Sequence, residues 1–440
     1  MIARRSFFTF VIQVSQVAAL VGVNVVVTRV TGASGKGIFT LMSLLVTLGT
    51  SLTALGISWA AIYFIGRGRR LARDISPTLM TSSLVSAAVT DIALAAGFFL
   101  LRTSYFKDVS VTQLAVTLAI VPGVQLTTTL GSMILGGNRP IHFATTTLVQ
   151  WLVTLALQCG LALAGRLDPT SALVAWLTGT VASVAVGATL VGDGLRWRLG
   201  IDRAAFRELL DYGLKGYLAN LLQFFNYRLD ALIVNAISGV ASVGVYSISV
   251  AMTEVIWFVA QAFSTVMFPH VSSVDRRDAD RVTPIVSRNV WFITLLGVVA
   301  MAILGRWLVV LVFGDAMLPA VTPLLLLLPG TFALSGVKVL TSYLSGIGRP
   351  IYATYIAAGN LVLTVVLDIA LIPRFGIAGA AAASSIVYTI TAIVTVIIFR
   401  KESGGGIGET IVIRPEDLSY YARAARTVVG RFRIPSPVKP

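Results

Sequence analysis

The sequence predicts an all-α polytopic membrane protein, with twelve transmembrane helices in two six-helix bundles related by a parallel internal repeat. Three observations indicate this fold. First, 56% of the 440 residues are hydrophobic and 12% are charged, and the mean hydropathy is +0.87, whereas a soluble domain averages about 25% charged residues. Second, apolar runs long enough to cross a bilayer follow one another along the chain. Third, the connections between these runs repeat about half a chain length apart.

A transmembrane helix needs about 20 largely apolar residues. Runs of this kind predict spans at 6–29, 38–65, 77–101, 112–136, 141–164, 170–191, 212–236, 243–268, 286–305, 318–346, 351–372 and 377–399. We expect all of them to be helices, because a backbone that is not hydrogen-bonded to itself cannot cross hydrocarbon. Pro122 and Pro329 fall inside spans, where membrane helices tolerate them as kinks.

The basic residues predict the orientation, because cytoplasmic segments of membrane proteins are enriched in Lys and Arg. With the N-terminus inside, 24 of the 34 basic residues fall in inner segments or the tail, and six fall in outer segments. The six are Arg29, Lys36, Arg102, Lys107, Arg166 and Arg374. This split predicts a protein of the cytoplasmic membrane with both termini in the cytoplasm. It also explains most of the net charge of +15 without nucleic-acid binding.

The connections between spans repeat at nearly one offset. "ILGGNRPIHFAT" aligns with "LSGIGRPIYATY", which places Arg139 on Arg349. "GASGKGIFT" aligns with "GVASVGVYS", which places Gly32 on Gly239, and "GRLDPTSALVA" aligns with "PRFGIAGAAAA". The offset equals six spans, so both halves enter the membrane from the same side. Parallel repeats of this kind hold their substrate between the two halves.

The repeat predicts an N-terminal six-helix half at 1–200, a C-terminal six-helix half at 201–400 and a basic cytoplasmic tail at 401–440. Arg139 and Arg349 fall at equivalent inner-face corners of the two halves. A proline at the first helical position and an arginine anchored at the membrane surface explain both corners structurally. Contact with a substrate is the alternative interpretation, and it makes both arginines candidate binding residues.

Cofactors and metals are not expected. His142 and His270 are isolated, and Cys159, the single cysteine, lies inside a span, so neither a metal site nor an internal disulfide is predicted. "GASGKG" at 32–37 lacks the first glycine and the hydroxyl residue of a phosphate-binding loop. ATP binding is therefore not expected either.

Ionisable groups inside spans are the informative residues, because each costs roughly 2.5–3.5 kcal/mol at a helix centre on insertion scales. Such groups face a cavity or pair with another helix. They are Asp91, Lys215, Arg228, Asp230, Glu254, Lys338 and Asp368. The cationic groups favour an anionic ligand. The acids Asp91, Asp230, Glu254 and Asp368 are candidates for binding a coupling proton or sodium ion.

Arg228 and Asp230 are two residues apart, so they cannot pair on one face of a helix. At least one of them needs a partner on another helix, and Glu254 and Asp368 are the candidates. Two interpretations stay open, a buried structural set of ion pairs and a site for substrate or coupling ion. Among the acids, Asp230 and Glu254 are the best placed for coupling, since they lie on adjacent spans at similar depth.

Four stretches resemble the multidrug/oligosaccharidyl-lipid/polysaccharide exporter superfamily, and most of all its bacterial polysaccharide flippases. They are "VTRVTGASGKGIFTL" at 27–41, "YRLDALIV" at 227–234, "FSTVMFPHVSSV" at 263–274 and "LLPGTFALSGVKVLTSYLSGIGRPIYAT" at 327–354. The resemblance runs over spans 1 to 11 and leaves out the tail.

The resemblance implies a secondary transporter that flips an O-antigen-type oligosaccharide, linked to undecaprenyl pyrophosphate, by alternating access. It implies that cationic residues meet the pyrophosphate, a role that Arg228 and Lys338 take here by location. It further implies membrane lipids as surroundings, and a monomer that works beside a polysaccharide polymerase and glycosyltransferases. Two alternatives remain, a multidrug exporter of the same superfamily and a membrane polysaccharide polymerase or ligase.

Overall fold

The computed structural model describes residues 2–196, 198–349, 351–404 and 406–417, with side chains for all of these except 2–10, 216, 219, 220, 259, 265, 266, 268–270, 273 and 407. Within these ranges the chain forms helices and no strands. Helices α1 to α13 are Ile2–Thr53, Ile57–Gly66, Ala72–Leu100, Val111–Gly136, Pro140–Leu163, Pro169–Val191, Arg203–Ser238, Val240–Ser273, Arg276–Phe313, Val321–Gly346, Ile351–Phe375, Ile377–Ser403 and Ile407–Ile411.

Ten of the described helices are long and apolar enough to cross a membrane. Helix α9 illustrates them, since its most apolar window has a mean hydropathy of 2.4 while only 11% of that window is buried inside the protein. Apolar surface of this extent is not left to water by soluble proteins. The chain is therefore a multi-pass membrane protein, and the predicted all-helical fold class is confirmed.

The number twelve stays a prediction. Helix α1 is broken at Gly32, whose φ of 68° and ψ of −166° divide it into two limbs. Helix α7 is not among the ten helices of sufficient hydropathy, because it carries several ionisable residues along its length. Counting the two limbs of α1 separately and adding α7 would give the predicted number.

The internal repeat recurs in the backbone geometry of two connections. Gly32 in α1 and Gly239 between α7 and α8 both have positive φ with extended ψ, a conformation open essentially to glycine alone. Asn138 and Gly348, which precede the two equivalent arginines, both have positive φ, at 56° and 81°. The same turn therefore joins α4 to α5 and α10 to α11.

Helices α1 to α7 belong to the first of two compact units. This unit comprises Met1–Ile248, Trp307–Pro323 and Thr364–Ala380, as far as those ranges are described. Helix α5 packs against α1 and α6, and α4 packs against α2, α3 and α6. Side chains such as Met42, Ile120 and Leu173 form its largest core. The bundle predicted for the N-terminal half thus lies within this unit.

The second compact unit comprises Ser249–Arg306, Leu324–Leu363 and the described part of Ala381–Pro440. Its core contains Val290, Leu340 and Phe399, and the rings of Tyr343 and Phe399 lie 4.9 Å apart between centroids. Because packing places parts of α8 to α12 in each unit, the units do not coincide with the halves of the repeat. The division at residue 200 describes the repeat and stays a prediction for the domains.

Ionic contacts fasten the described part of the tail to the second unit. The Arg288 guanidinium donates to both carboxylate oxygens of Asp417, at 2.5 and 2.8 Å, and both side chains are buried. The N–H of Arg414 also donates to Asp417, at 3.0 Å. The tail therefore begins with an anchored segment, whereas residues 418–440, where most of its predicted basic charge falls, lie outside the described residues.

Candidate functional site

Two carboxylates lie close together in the first unit. Asp230 of α7 is 6% exposed, Asp368 of α11 is fully buried, and the two are within electrostatic range of each other. The Tyr246 hydroxyl of α8 donates to one oxygen of Asp230 at 2.5 Å, and the N–H of Ala231 donates to the other at 2.7 Å. Helices α7, α8 and α11 thus place three polar groups in one buried spot.

Asp368 is the unusual member of this group. Neither of its carboxylate oxygens accepts a hydrogen bond from any residue that the structure describes. A bare buried carboxylate is strongly disfavoured, so such a group binds a proton or a cation instead. Asp368 and Asp230, with the Tyr246 hydroxyl, can therefore hold a proton or a small cation such as sodium, for which oxygen ligands are suited.

The structure places Asp230 beside one of its two expected candidates. The sequence argument required a partner on another helix for Arg228 or Asp230 and named Glu254 and Asp368. Asp230 lies near Asp368, and it accepts a hydrogen bond from the Tyr246 hydroxyl, which the sequence argument had not named. Arg228 is partly buried, two residues earlier on the same helix. Its role as a substrate ligand stays a prediction.

A lysine marks a second polar site, in the second unit. The Lys338 ammonium donates to the Gln261 side-chain carbonyl at 2.9 Å and lies 5.3 Å from the centroid of the Trp257 ring. Glu254 is within electrostatic range of the same ammonium. Glu254, Trp257 and Gln261 are spaced at i, i+3 and i+7, so they share one face of α8.

Helix α10 holds Lys338 about 12 Å from its Gly346 end, at a rise of 1.5 Å per residue. This helix is part of the stretch Asp315–Gly346, which is long and apolar enough to cross a membrane. An ammonium has three N–H donors, so it can bind a phosphate oxygen beside the Gln261 carbonyl. The ring of Trp257 stabilises a cation without neutralising its charge. This arrangement suits an anionic group better than a cationic one.

Arg139 and Arg349 occupy equivalent turns, as predicted. The Arg139 guanidinium donates to the carbonyl oxygen of Leu190 at 3.2 Å, near the end of α6. The Arg349 guanidinium lies 4.0 Å from the carboxylate of Glu402 at the end of α12. Each arginine thus ties its turn to the end of a neighbouring helix. These contacts favour the structural interpretation, and substrate contact stays a prediction.

The N-terminal half is rich in uncharged polar contacts. The Gln125 amide donates to the Thr53 hydroxyl at 3.1 Å, and the hydroxyls of Thr53 and Thr90 are 2.9 Å apart. The Gln150 amide donates to the Thr180 hydroxyl at 3.2 Å. Next to Thr90 in sequence, Asp91 has one buried oxygen without a partner among the described residues. None of the contacts described for Asp91 involves Asp230 or Asp368.

Lys36 is a buried cation that the sequence argument missed. It was expected in an outer segment, but it lies in the second limb of α1, is 5% exposed and donates to the Asn24 side-chain carbonyl. The helix and the burial were missed because the small and polar residues around 32–36 resemble a loop, whereas the side of the membrane on which Lys36 lies stays a prediction. The signal that could have found it is the absence of proline from 27–41, which leaves the helix free to continue.

No group of three or more His, Cys, Asp and Glu side chains among the described residues is arranged to hold a metal ion. The side chain of His270 lies outside the described set. The polar groups of the two sites described above are two carboxylates and a hydroxyl in the first unit. In the second unit they are an ammonium with an amide and an aromatic ring beside it.

Comparison with known proteins gives one family and two curated relatives. Residues 26–322 match the model of a family described as "Polysaccharide biosynthesis protein". A "Probable flippase AglR" of Haloferax volcanii is 26% identical over 427 residues, covering 90% of this chain and 83% of that protein. A "Probable low-salt glycan biosynthesis flippase Agl15" of the same organism is 22% identical over 375 residues, covering 83% and 76%.

Solved structures with the same fold include two transporters. The lipid II flippase MurJ in an inward closed conformation has a TM-score of 0.73 at 13% identity, covering 97% of this chain and 94% of that one. An inward-facing multidrug transporter of the MATE family has a TM-score of 0.70 at 13% identity, covering 88% and 94%. At this identity the likeness concerns the fold alone.

Proposed function

The chain belongs to the polysaccharide biosynthesis protein family, within the multidrug/oligosaccharidyl-lipid/polysaccharide exporter superfamily, and we propose that it flips a lipid-linked oligosaccharide across the cytoplasmic membrane. The headgroup crosses by alternating access while the lipid tail stays in the bilayer. No bond is made or broken. Both curated relatives carry the name of a flippase, which supports transport rather than an enzymatic reaction.

The observation that carries the proposal is Lys338 on the ring of Trp257, inside an apolar helix. A lipid-linked oligosaccharide carries a phosphate or pyrophosphate between lipid and sugar, and an ammonium held in a weakly polar setting binds such an anion strongly. A carrier of the undecaprenyl-pyrophosphate type fits this chemistry. Arg228, in the first unit, is proposed as a further ligand for an anionic group.

The same site counts against the rival functions. A drug exporter for cations would gain nothing from an ammonium in its binding region. A polymerase or ligase would need reactive groups on an exposed segment, yet the described connections predicted to lie outside are short, such as the single residues Gly32 and Gly239 and the stretch 101–110. We also propose that both termini lie in the cytoplasm. A polymerase and glycosyltransferases are its proposed neighbours in the membrane.

Asp230 and Asp368 are proposed to bind the coupling ion, a proton or sodium. Support comes from the buried, unpartnered oxygens of Asp368 and their closeness to a second carboxylate. Two acids can hold one cation between them when the site is closed to water, and they lose it when the site opens. The sequence analysis named Glu254 together with Asp230 as the best-placed acids for coupling. Glu254 lies near Lys338 instead, and we propose that it adjusts how strongly that ammonium binds an anion.

The test measures headgroup translocation in proteoliposomes. Translocation is detected by the oxidation of the exposed sugar with an impermeant oxidant. Lys338→Ala is expected to slow flipping of a pyrophosphate-linked oligosaccharide about tenfold, since a charged hydrogen bond is worth about 1.5–3 kcal/mol. Lys338→Arg should keep most activity. Lys107→Ala is the matched control, because Lys107 is an exposed cation outside the helices. Normal flipping by Lys338→Ala, or export of cationic dyes without flipping, would reject the proposal.

A further inference from the structure

Two adjoining cavities lie inside the first unit, among α1, α2, α4, α5 and α7. Each has a volume of about 340 Å³, and they share Ser58, Trp59, Val124 and Thr128 as lining residues. A volume of this size is within the range of about 300–1,000 Å³ that small-molecule sites occupy. Because the lining is shared, a ligand in one cavity can extend into the other.

The lining of both cavities carries no formal charge, and hydroxyls and amides supply its polar groups. Gln150 lines one cavity and Gln125 the other, and each is held by a threonine behind it, Thr180 and Thr53 respectively. The Thr127 side chain also belongs to the lining, although its hydroxyl oxygen is buried. Hydroxyls and amides such as those of Thr128, Thr147 and Gln150 can bond to an uncharged polar ligand.

Trp59 supplies a flat apolar wall to both cavities. Its side chain is 66% exposed, so the ring is open to a ligand in either cavity. A tryptophan ring beside uncharged hydrogen-bonding groups fits a sugar ring, whose C–H face packs on an aromatic surface while its hydroxyls meet polar groups at the edge. At the Lys338 site, by contrast, the Trp257 ring lies against an ammonium.

We propose that these cavities form a subsite for the uncharged sugar rings of the substrate, with Trp59 as the stacking surface and Thr128 and Thr147 as hydrogen-bonding partners. The inference rests on the proposed function and adds a site for the sugar to it, distinct from the ammonium that is proposed to bind the phosphate. The competing occupant is a lipid acyl chain, which would leave the hydroxyls and amides of the lining without a polar ligand group and so fits less well.

The first test compares two substrates in proteoliposomes. One is a pyrophosphate-linked neutral oligosaccharide, and the other is the same carrier lipid with its phosphate groups and no sugar. Trp59→Ala is expected to slow the first about tenfold and leave the second unchanged, whereas Lys338→Ala slows both. Trp59→Phe should recover much of the loss. Trp307→Ala is the matched control, because Trp307 is 64% exposed on α9 and lines neither cavity.

The second test does not depend on flipping. In a Cys159→Ser background, Thr128→Cys places the only thiol in both cavities at once. A charged, water-soluble thiol reagent should modify it in purified protein, and a neutral trisaccharide at tens of millimolar should slow that modification several-fold. Protection without any flipping would uphold the subsite and reject the proposed function. Equal loss of both substrates in Trp59→Ala, or a thiol that reacts only with an apolar maleimide, would overturn the subsite.

Discussion

Gly37 and Gly244, which occupy equivalent positions in the two repeats, pack against each other's helix backbone. A methyl group on Gly37 would overlap the carbonyl oxygen of Val240, and one on Gly244 would overlap that of Ala33. Small residues allow membrane helices to approach this closely, and their packing holds the helices together. The contact joins the second limb of α1 to the start of α8, one turn beyond the glycine connections.

This contact predicts a cross-link that controls transport. The hydroxyls of Thr40 and Ser247, also equivalent in the repeat, are 3.4 Å apart. In a Cys159→Ser background, Thr40→Cys with Ser247→Cys should form a disulfide on oxidation, since the bond needs such close approach. If these helices separate during alternating access, the disulfide should stop flipping and a reductant should restore it.

Gly37→Ala supplies the control for that experiment. The added methyl group should force the two helices apart, at a cost of about 1–3 kcal/mol for overpacking, and reduce the yield of the cross-link several-fold. Undiminished flipping by the fully cross-linked protein would show that α1 and α8 stay together throughout the cycle.

Asp368→Asn should remove the response to the coupling ion. A cation that binds only the folded protein stabilises it by about 2.7 kcal/mol at a concentration 100-fold above its Kd. We therefore expect sodium or acidification to raise the melting temperature of the unmodified protein in detergent, with choline as the reference cation. Asp368→Asn should lose most of this rise, because its neutral amide takes up no proton and offers sodium no negative charge.

Asp230→Asn is expected to weaken the same response in part, since Tyr246 still offers an oxygen. Asp315→Asn is the matched control, because Asp315 is an exposed acid in the connection before α10. A melting temperature that rises equally in Asp368→Asn and the unmodified protein would rule out this carboxylate as the ion ligand.

Asp417→Ala should release the segment that follows α12. Loss of one partner from a buried ion pair costs about 3–5 kcal/mol, because the other charge stays buried and unpaired. Hydrogen exchange of residues 406–413 should therefore accelerate strongly in Asp417→Ala. The double variant Arg288→Met with Asp417→Leu should exchange more slowly than the single one, and equal exchange in all three proteins would refute the anchoring role.

Acid should weaken the same anchor. The hydrogen bond from Arg288 holds the pKa of Asp417 below its ordinary value of 3.8. Because the pKa is lower in the anchored state, the contribution of this pair is fully present above the ordinary value and is lost as the pH falls through the lowered one. Exchange of residues 406–413, corrected for its intrinsic pH dependence, should thus be constant from pH 7 to pH 5. It should rise only in stronger acid.

The charge distribution predicts the orientation in cells. In a Cys159→Ser background, Lys107→Cys should react with an impermeant thiol reagent in intact cells, and Arg69→Cys should react only after the cells are opened. Both positions are exposed, so their reactivity reports the side of the membrane rather than burial. The reverse pattern would contradict the orientation inferred from the 24 inner and six outer basic residues.

The sequence was sufficient for the helices and for the turns that repeat. Apolar runs and prolines located most spans to within a few residues, and the helices α4 and α10 run through Pro122 and Pro329 as expected for membrane helices. Hydropathy could not show that Gly32 alone separates two limbs, since the surrounding residues are small or polar. It therefore assigned Lys36 to a loop, although the helix buries it.

Which ionisable groups meet was beyond the sequence. Depth along a span follows from the rise of a helix, and it placed Asp230, Glu254 and Asp368 in comparable layers. Depth does not give rotation about the helix axis, and rotation decides that Asp230 meets Tyr246 and Asp368, while Glu254 lies near Lys338. Residues from five helices form the cavities around Trp59, so no local sequence pattern predicts them.

The composition of the first unit has a consequence for biogenesis. That unit includes Thr364–Ala380, which the ribosome makes long after the first seven helices have left it. When α7 enters the bilayer, Asp230 arrives before the helix that carries its neighbouring acid exists. The nascent chain must therefore shelter Asp230 with what is already present, first water or lipid headgroups and soon Tyr246 of α8. Final assembly of the buried acid pair waits for α11, so this protein completes its first unit only after α11 has been made.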